Sequence, residues 1–313
     1  MKRTALFIFS VCAFLSAQAQ SDTIDLVPVE VKAIRASATA PFTKTNIKKD
    51  EIREQNLGQD LPFLLNNTPS VVVNSDAGNG IGYTGIRIRG TDATRINVTL
   101  NGIPFNDAES NGSFFVNLPD FLSSVNSIQI QRGVGTSSNG AGAFGATINL
   151  STNDLIKERS IEFNNSYGSF NSLKNTIIYN SGLLNNHFTV DARLSRITSD
   201  GYVDRATSNL RSYYLSTAFT NEKSSLRFTT FSGKERTYQA WNGISEADLK
   251  TNRRINYSGM EKADSPYEDE VDNYNQSHYQ LFFNRKLFPG LTFNTGLFLV
   301  RGKGYYEQYK ADE

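Results

Sequence analysis

The 313-residue sequence is poor in the residues that build most catalytic and metal centres: one cysteine, two histidines, two methionines and one tryptophan. That scarcity excludes a His/Cys-rich metal site and a disulfide framework. A formal net charge of +1 removes any general electrostatic case for nucleic acid. No G-x-S-x-G, H-E-x-x-H or Walker sequence is present, and neither His187 nor His278 has a cysteine or acidic pattern beside it. With no nucleophile, acid pair or metal constellation, neither enzymatic chemistry nor a cofactor is expected. Beyond the first 20 residues there is no long apolar run, and the mean hydropathy is −0.40, which excludes a helical membrane protein. A membrane β-barrel stays open, because its alternating strands hide from hydropathy averages. The sequence is rich in 21 Phe, 14 Tyr and 23 Gly, a β-forming composition with many turns.

Lys2 and Arg3 precede the run Ala5 to Leu15, apolar apart from Ser10, and Ala17-Gln18-Ala19 follows. This pattern predicts a signal peptide over 1–19, cut after Ala19; a short buried helix is the plainer alternative. Cys12 leaves with the signal. Loss of Lys2 and Arg3 leaves 30 basic residues against 31 acidic, a formal charge of −1.

Residues 20–40 form a short arm in which Asp25-Leu26-Val27-Pro28-Val29-Glu30-Val31 alternates like a strand. Pro28 removes one ladder donor, which suits an edge strand or a free arm. Residues 41–154 predict an α+β domain. Lys48–Gln55 is helical in composition, Asp60 is placed to cap a short helix holding Pro62, and Pro119 is placed to open another through Phe121 and Leu122. Strands are predicted at Val71–Val73, Ile86–Arg89, Ile96–Leu100, Ile128–Gln131 and Ala146–Leu150, and Asn101-Gly102 signals a hairpin.

From 155 to 313 the pattern becomes about ten-residue segments of period two. Phe188, Val190, Ala192 and Leu194 share one face of a strand, and Thr189, Asp191, Arg193 and Ser195 share the other. About seven such strands are predicted. Short connections at 182–186, 221–224 and 287–290 alternate with longer ones near 168–172, 198–207 and 235–276, the asymmetry of an outer-membrane barrel. A soluble antiparallel sandwich is the alternative.

Several motifs weigh less. Gly140-Ala-Gly142-Ala-Phe-Gly145 fits the dinucleotide fingerprint, but runs into Thr147–Leu150, which reads as strand where a helix is required. Asn97-Val-Thr99 and Asn256-Tyr-Ser258 are chance-frequency glycosylation triplets. The two histidines read as lumen-facing or interfacial side chains. Glu268, Asp269, Glu270 and Asp272 suit a hard cation or, more simply, a solvated acidic face. Trp241 and Tyr238, with Tyr257, Tyr267 and Tyr274, place aromatics in the long loop, suited to gripping a ligand or to self-packing.

Three stretches resemble the TonB-dependent outer-membrane receptors: Asp60-Leu61 through Pro69-Ser-Val71; Gly85-Ile-Arg87-Ile-Arg89-Gly90 with Arg95-Ile-Asn97-Val-Thr-Leu100-Asn101-Gly102-Ile-Pro104; and Ile128-Gln-Ile130-Gln-Arg132-Gly133 with Gly145-Ala-Thr-Ile148-Asn149-Leu-Ser-Thr152. The resemblance implies an α+β plug domain followed by the first ~7 strands of an antiparallel transmembrane β-barrel, about 22 strands when complete. About 15 strands would lie beyond Glu313, so the chain is expected to be the front part of a longer receptor or a truncated product. It further implies a monomeric importer in the outer membrane. The importer takes up a scarce nutrient and is driven by TonB with ExbB–ExbD, which engages the box Asp25–Val31 by strand addition. The short arm leaves no room for an additional N-terminal domain. That favours an iron chelate such as a ferric siderophore as cargo, with cobalamin, haem or a peptide as alternatives and a secreted adhesion module as the rival from another class. Arg89 and Arg132 match plug positions that pair with barrel-wall glutamates, on strands that would lie beyond residue 313; a solvated arginine is the alternative. Candidate ligand contacts are Asn79 and Tyr83 in one plug loop, Phe105, Asn106 and Phe114 in another, and Tyr238 and Trp241 in the long loop.

The leader reading has a direct check: intact-mass analysis of the exported protein is expected to show an N-terminus at Gln20, and a chain retaining Met1 contradicts it.

Overall fold

The computed structural model describes residues 35–37, 39–135 and 144–311. The expected signal peptide, the box Asp25–Val31 and most of the glycine run at 140–145 lie outside the described residues. Two bodies pack together, an inner domain against one face of an open strand wall. The inner one carries β1 (Lys44–Lys48), α1 (Lys49–Gln55), α2 (Leu61–Leu64), β2 (Val71–Ser75), β3 (Thr84–Ile88), β4 (Ile96–Leu100), β5 (Ile103–Pro104), β6 (Ser127–Arg132) and β7 (Ala146–Ser151). Its main sheet runs β1-β6-β7-β4-β5, antiparallel except for the parallel pair β4–β7, and β2 with β3 forms a separate ribbon. Alternation in β6 and the apolar run of β7 put Ile128, Ile130 and Ile148 at zero exposure against Leu65, Ile88 and Leu122.

Local signals explain the turns. Asn101 and Gly102 both take positive φ, +57° and +87°, the geometry of a two-residue hairpin that pairs Leu100 with Ile103. Gly145 is followed directly by β7, so the dinucleotide fingerprint lacks the helix it needs. β3 stops at Ile88, one residue short of the expected end, because Arg89 turns left-handed at φ +53°. Pro119 precedes a 3-10 turn, Phe121–Ser124. One expectation fails: Asp60 sits at the N-cap of α2, but its side chain makes no cap bond and instead accepts a hydrogen bond from Thr84 Oγ1 at 3.0 Å.

The outer body is a seven-stranded antiparallel meander: β8 (Arg159–Gly168), β9 (Ser172–Ser181), β10 (Phe188–Ser199), β11 (Ser208–Thr220), β12 (Ser224–Tyr238), β13 (Val271–Phe288) and β14 (Leu291–Tyr306), each bonded to its sequence neighbours. Two loop expectations need correction. The connection near 168–172 is a three-residue turn, 169–171, in which Phe170 and Asn171 take positive φ. The long loop shrinks to 239–270, because β12 and β13 pair as far as Tyr238–Val271, and it holds the short helix α3 (Glu246–Thr251).

The burial of this wall is inverted relative to a soluble sandwich. Thr189, Asp191, Arg193 and Ser195 are buried, whereas Phe188 and Leu194 of the same strand are exposed. In β13 His278, Gln280 and Asn284 are buried, and Tyr279 and Leu281 face out. A sandwich would put the apolar rows inside; polar-in and apolar-out is the polarity of strands whose outer face meets lipid. Among the described residues no helix is long and apolar enough to cross a membrane.

The inversion makes a quantitative prediction. Leu194→Arg, on the outward face, is expected to cost about 2–4 kcal/mol in refolding into lipid bilayers. A cost near zero would contradict a lipid-facing wall.

Candidate functional site

The wall's end that carries the 239–270 loop meets one plug segment, Asp76–Tyr83. Glycines allow the approach: Gly82 takes φ +95°, and a Cβ there would lie 2.7 Å from Ser208 Oγ of β11. Asn79 Nδ2 donates to Ser199 Oγ at 2.7 Å and Ser172 Oγ at 3.3 Å, so this candidate ligand contact is spent on the wall. Tyr83 donates its hydroxyl to the Asp272 carboxylate, with Glu235 Oε1 3.4 Å away. Burial, then the charges of Glu235 and Asp272, push the Tyr83 phenol above its usual range. Trp241 meets the Tyr83 ring edge-on at 5.9 Å and stays half-exposed. Tyr238 is buried beside them at the end of β12. Its hydroxyl donates to Tyr267 O at 2.6 Å, and Arg205 lies 5.7 Å from its ring. It therefore braces the loop.

The other three candidates lie elsewhere. Phe105 is buried, 6.3 Å from Phe115 and 6.0 Å from His278. His278 pairs with Phe231, which lies about 23 Å along β12 from Tyr238. Asn106 accepts from Val98 N and donates to Ile96 O and Asn111 O, which shapes its own loop. Phe114 is exposed. The structure thus joins Tyr83 with Trp241, sets Asn79 and Tyr238 around them as supports, and leaves Phe105, Asn106 and Phe114 apart. His278 faces the plug, whereas His187 is exposed at a turn with Nδ1 2.9 Å from Thr220 O. The acidic run disperses: Asp269 pairs with Arg236 at 2.6 Å, Glu270 accepts from Tyr309 N, and Asp272 serves Tyr83. Among the described residues no three acidic, histidine or cysteine side chains converge as a metal site.

The strongest joint between plug and wall is one the sequence pattern did not single out. Asp120, at φ +52°, buries its carboxylate completely between Lys174 Nζ of β9 at 2.8 Å and Arg193 Nη1 of β10 at 3.4 Å. Thr176 Oγ1 and Ser123 Oγ donate to it at 2.6 Å each. Arg193 also donates to Ser124 Oγ and Asp120 O. Burial alone would raise the Asp120 pKa, but the charges of Arg193 and Lys174 overcome it and hold the carboxyl below the usual range. The available signal was a charge on an inward row, Arg193 among Thr189, Asp191 and Ser195. Among the described residues Arg89 and Arg132 bond within the plug: Arg89 Nη2 donates to Thr43 Oγ1 at 3.5 Å and Arg132 Nη1 to Pro69 O at 3.0 Å. Neither has a carboxylate within ion-pair distance among the described residues, and the buried Arg132 Nε has no hydrogen-bond partner.

A plug seated by ion pairs inside a polar-lined strand wall defines a plugged-barrel architecture. Residues 36–147 match the family model described as TonB-dependent Receptor Plug Domain. This segment is similar to that plug domain, and the chain has the fold of the N-terminal part of a TonB-dependent receptor. Three solved structures show the likeness. The closed form of the ferric-catecholate import receptor Fiu from E. coli K12 has a TM-score of 0.67 at 17% identity over 90% of this chain and 40% of that one. The siderophore receptor PiuA from Acinetobacter baumannii has 0.66 at 14% over 89% and 39%. The ferric citrate transporter FecA in its unliganded form has 0.65 at 19% over 86% and 41%. The chain thus spans about two-fifths of the length of the solved receptors it matches. No curated protein matches it by sequence.

Asp60 supplies a pH test. Burial pushes its carboxyl up to about 7, against the opposing hydrogen bond from Thr84. A raised carboxyl stabilises the fold below its unfolded value and loses that contribution as pH rises through about 7. Asp60→Asn is therefore expected to gain stability over the parent by about 1.4 kcal/mol per pH unit between about pH 4 and 7, then level off. Thermal unfolding of the complete protein across that range measures it, and a constant difference would contradict the burial effect.

Proposed function

We propose that the chain is the front part of an outer-membrane importer that takes up an iron chelate under TonB drive. In this reading 1–19 is a cleaved signal and 20–40 an arm with the TonB box Asp25–Val31. Residues 41–154 are the plug, and 155–313 the first part of a transmembrane barrel. The observation that carries the reading is the polar-in, apolar-out wall wrapped around the plug, an arrangement with no use in a secreted adhesion module. Three neighbours in fold are by name a ferric-catecholate import receptor, a siderophore receptor and a ferric citrate transporter, which favours a ferric chelate as cargo. The Tyr83–Trp241 pair at the mouth offers one edge and one half-exposed indole face, suited to the flat rings and polar rim of such a chelate. The chemistry is binding and release, with no covalent step.

Uptake of radioactive iron from chelates by iron-starved cells tests it. Import is expected to vanish on deletion of residues 25–31 or of TonB, and Trp241→Ala is expected to weaken chelate binding about tenfold, the worth of one aromatic contact. Import that survives both deletions would overturn the transport reading; import of cobalamin or haem in place of iron would overturn the cargo.

A further inference from the structure

Between the plug and the wall lies a cavity of about 320 Å³, many times the space one water needs. Its lining includes Asn56 of the plug and Lys174, Asn180, Asp191, Arg193 and Tyr214 of the wall. Asn56 Oδ1 and Asp191 Oδ1 are buried with no hydrogen-bond partner. Both are acceptors, and Asp191 as a whole is 8% exposed. The lining is mixed, with Ile52, Leu122 and Ile178 beside the polar groups, and a cavity of this size with open acceptors holds water. Lys174 and Asn180 mark its extent. Lys174 lies two residues into β9 beyond the 169–171 turn, and Asn180 lies at the far end of that strand, next to the 182–187 connection. The six residue steps from one to the other span about 20 Å, most of the roughly 25 Å apolar band of a barrel wall. β9 and β10 are hydrogen-bonded on both edges, and β8, which adds Glu162–Ser166 to the lining, is the edge strand of the sheet.

At the Lys174 level the plug reaches across. Asp120 draws Lys174 and Arg193, which both line the cavity, onto the plug. We propose that this cavity is a hydrated passage for small polar solutes, closed at its outer end by the ion triad Lys174–Asp120–Arg193. The proposal rests on the reading that the strands enclose the plug within a membrane. Without the carboxylate, two buried cations face each other uncompensated and separate, which opens the end. Asp120 acts as a positioning residue, holding shut a gap that the fold already contains.

Liposomes carrying the complete protein test this with entry of a neutral disaccharide, a readout that needs neither TonB nor cargo. Asp120→Asn is expected to raise the entry rate by about tenfold or more, because it strands two buried cations. Asp92→Asn, an exposed plug carboxylate, is expected to stay at the parent rate. Adding Asn180→Trp to Asp120→Asn is expected to restore the low rate by filling the passage. If Asp120→Asn fails to assemble, judged by the detergent resistance of the barrel, Lys174→Met takes its place, keeping the Arg193 pair. No rise in an assembled gate variant, or a rise that Asn180→Trp leaves untouched, would overturn the passage. Loss of TonB-dependent uptake in the parent would overturn the import reading instead, so the two failures are separable.

Discussion

The inner face of the wall is polar, and each polar group it buries needs a partner. Neighbouring strands supply some of them, as between Thr176 and Ser195 or Ser216 and Thr229, while their backbone groups are consumed by the ladder. The plug surface supplies others strand by strand. Lys174 and Thr176 of β9 reach Asp120, and Arg193 of β10 reaches Ser124 and the carbonyl of Asp120. Tyr214 of β11 donates to Thr152 Oγ1 at 3.0 Å. Arg227 of β12 donates to Asn153 O at 2.9 Å, and Gln280 of β13 exchanges bonds with Asn101 and Leu100. Wall and plug are therefore not two modules in contact but one set of hydrogen bonds divided between two bodies.

Apolar contact plays a narrower part. Phe121 enters a small aromatic nest on the wall, 4.8 Å from Phe231 and 6.4 Å from Tyr214, and Phe231 stacks on His278 at 4.5 Å. Phe121 follows Asp120 directly, so one dipeptide supplies both the apolar and the ionic seat. The left-handed backbone at Asp120 is what aims the two side chains to their separate partners. Gly233 of β12 completes the seat: a Cβ there would lie 2.2 Å from Asn117 O, so the close approach of plug backbone to wall demands glycine.

Much of this was legible in the sequence where the signal is local. Strand β4 and the Asn101-Gly102 turn follow from propensity and backbone preference alone, and the period-two rows of β10 and β13 announced a wall with two unlike faces. What period two does not state is which face is buried; the three resembling stretches supplied that by implying a plug inside a barrel. The misses that bear on the site are long-range. Asp60 reads as a cap from its neighbours, yet Thr84, 24 residues on, claims its carboxylate. Asp120 meets Lys174 across 54 positions and Arg193 across 73, separations to which no local pattern is sensitive. Of the candidate contacts, Tyr83 and Trp241 were found by residue type and loop position, and their meeting depends on the fold of the 239–270 loop. Phe105 is aromatic too, but it and Asn106 lie in a loop folded onto its own core.

The choice of ions for the principal seat follows from the inverted polarity. An apolar plug surface would need an apolar inner wall, and a strand apolar on both faces loses the contrast that fixes its register. The plug is thus confined to polar joints, most of which contribute about 1 kcal/mol apiece net of water. A buried carboxylate with two cations and three further donors, Thr176, Ser123 and Asn56, resists parting far more, since separation leaves charges buried and unpaired. The same ions add little to the stability of the assembled state, because their desolvation offsets their attraction. A joint of that kind opposes small displacements strongly without making the closed state much deeper.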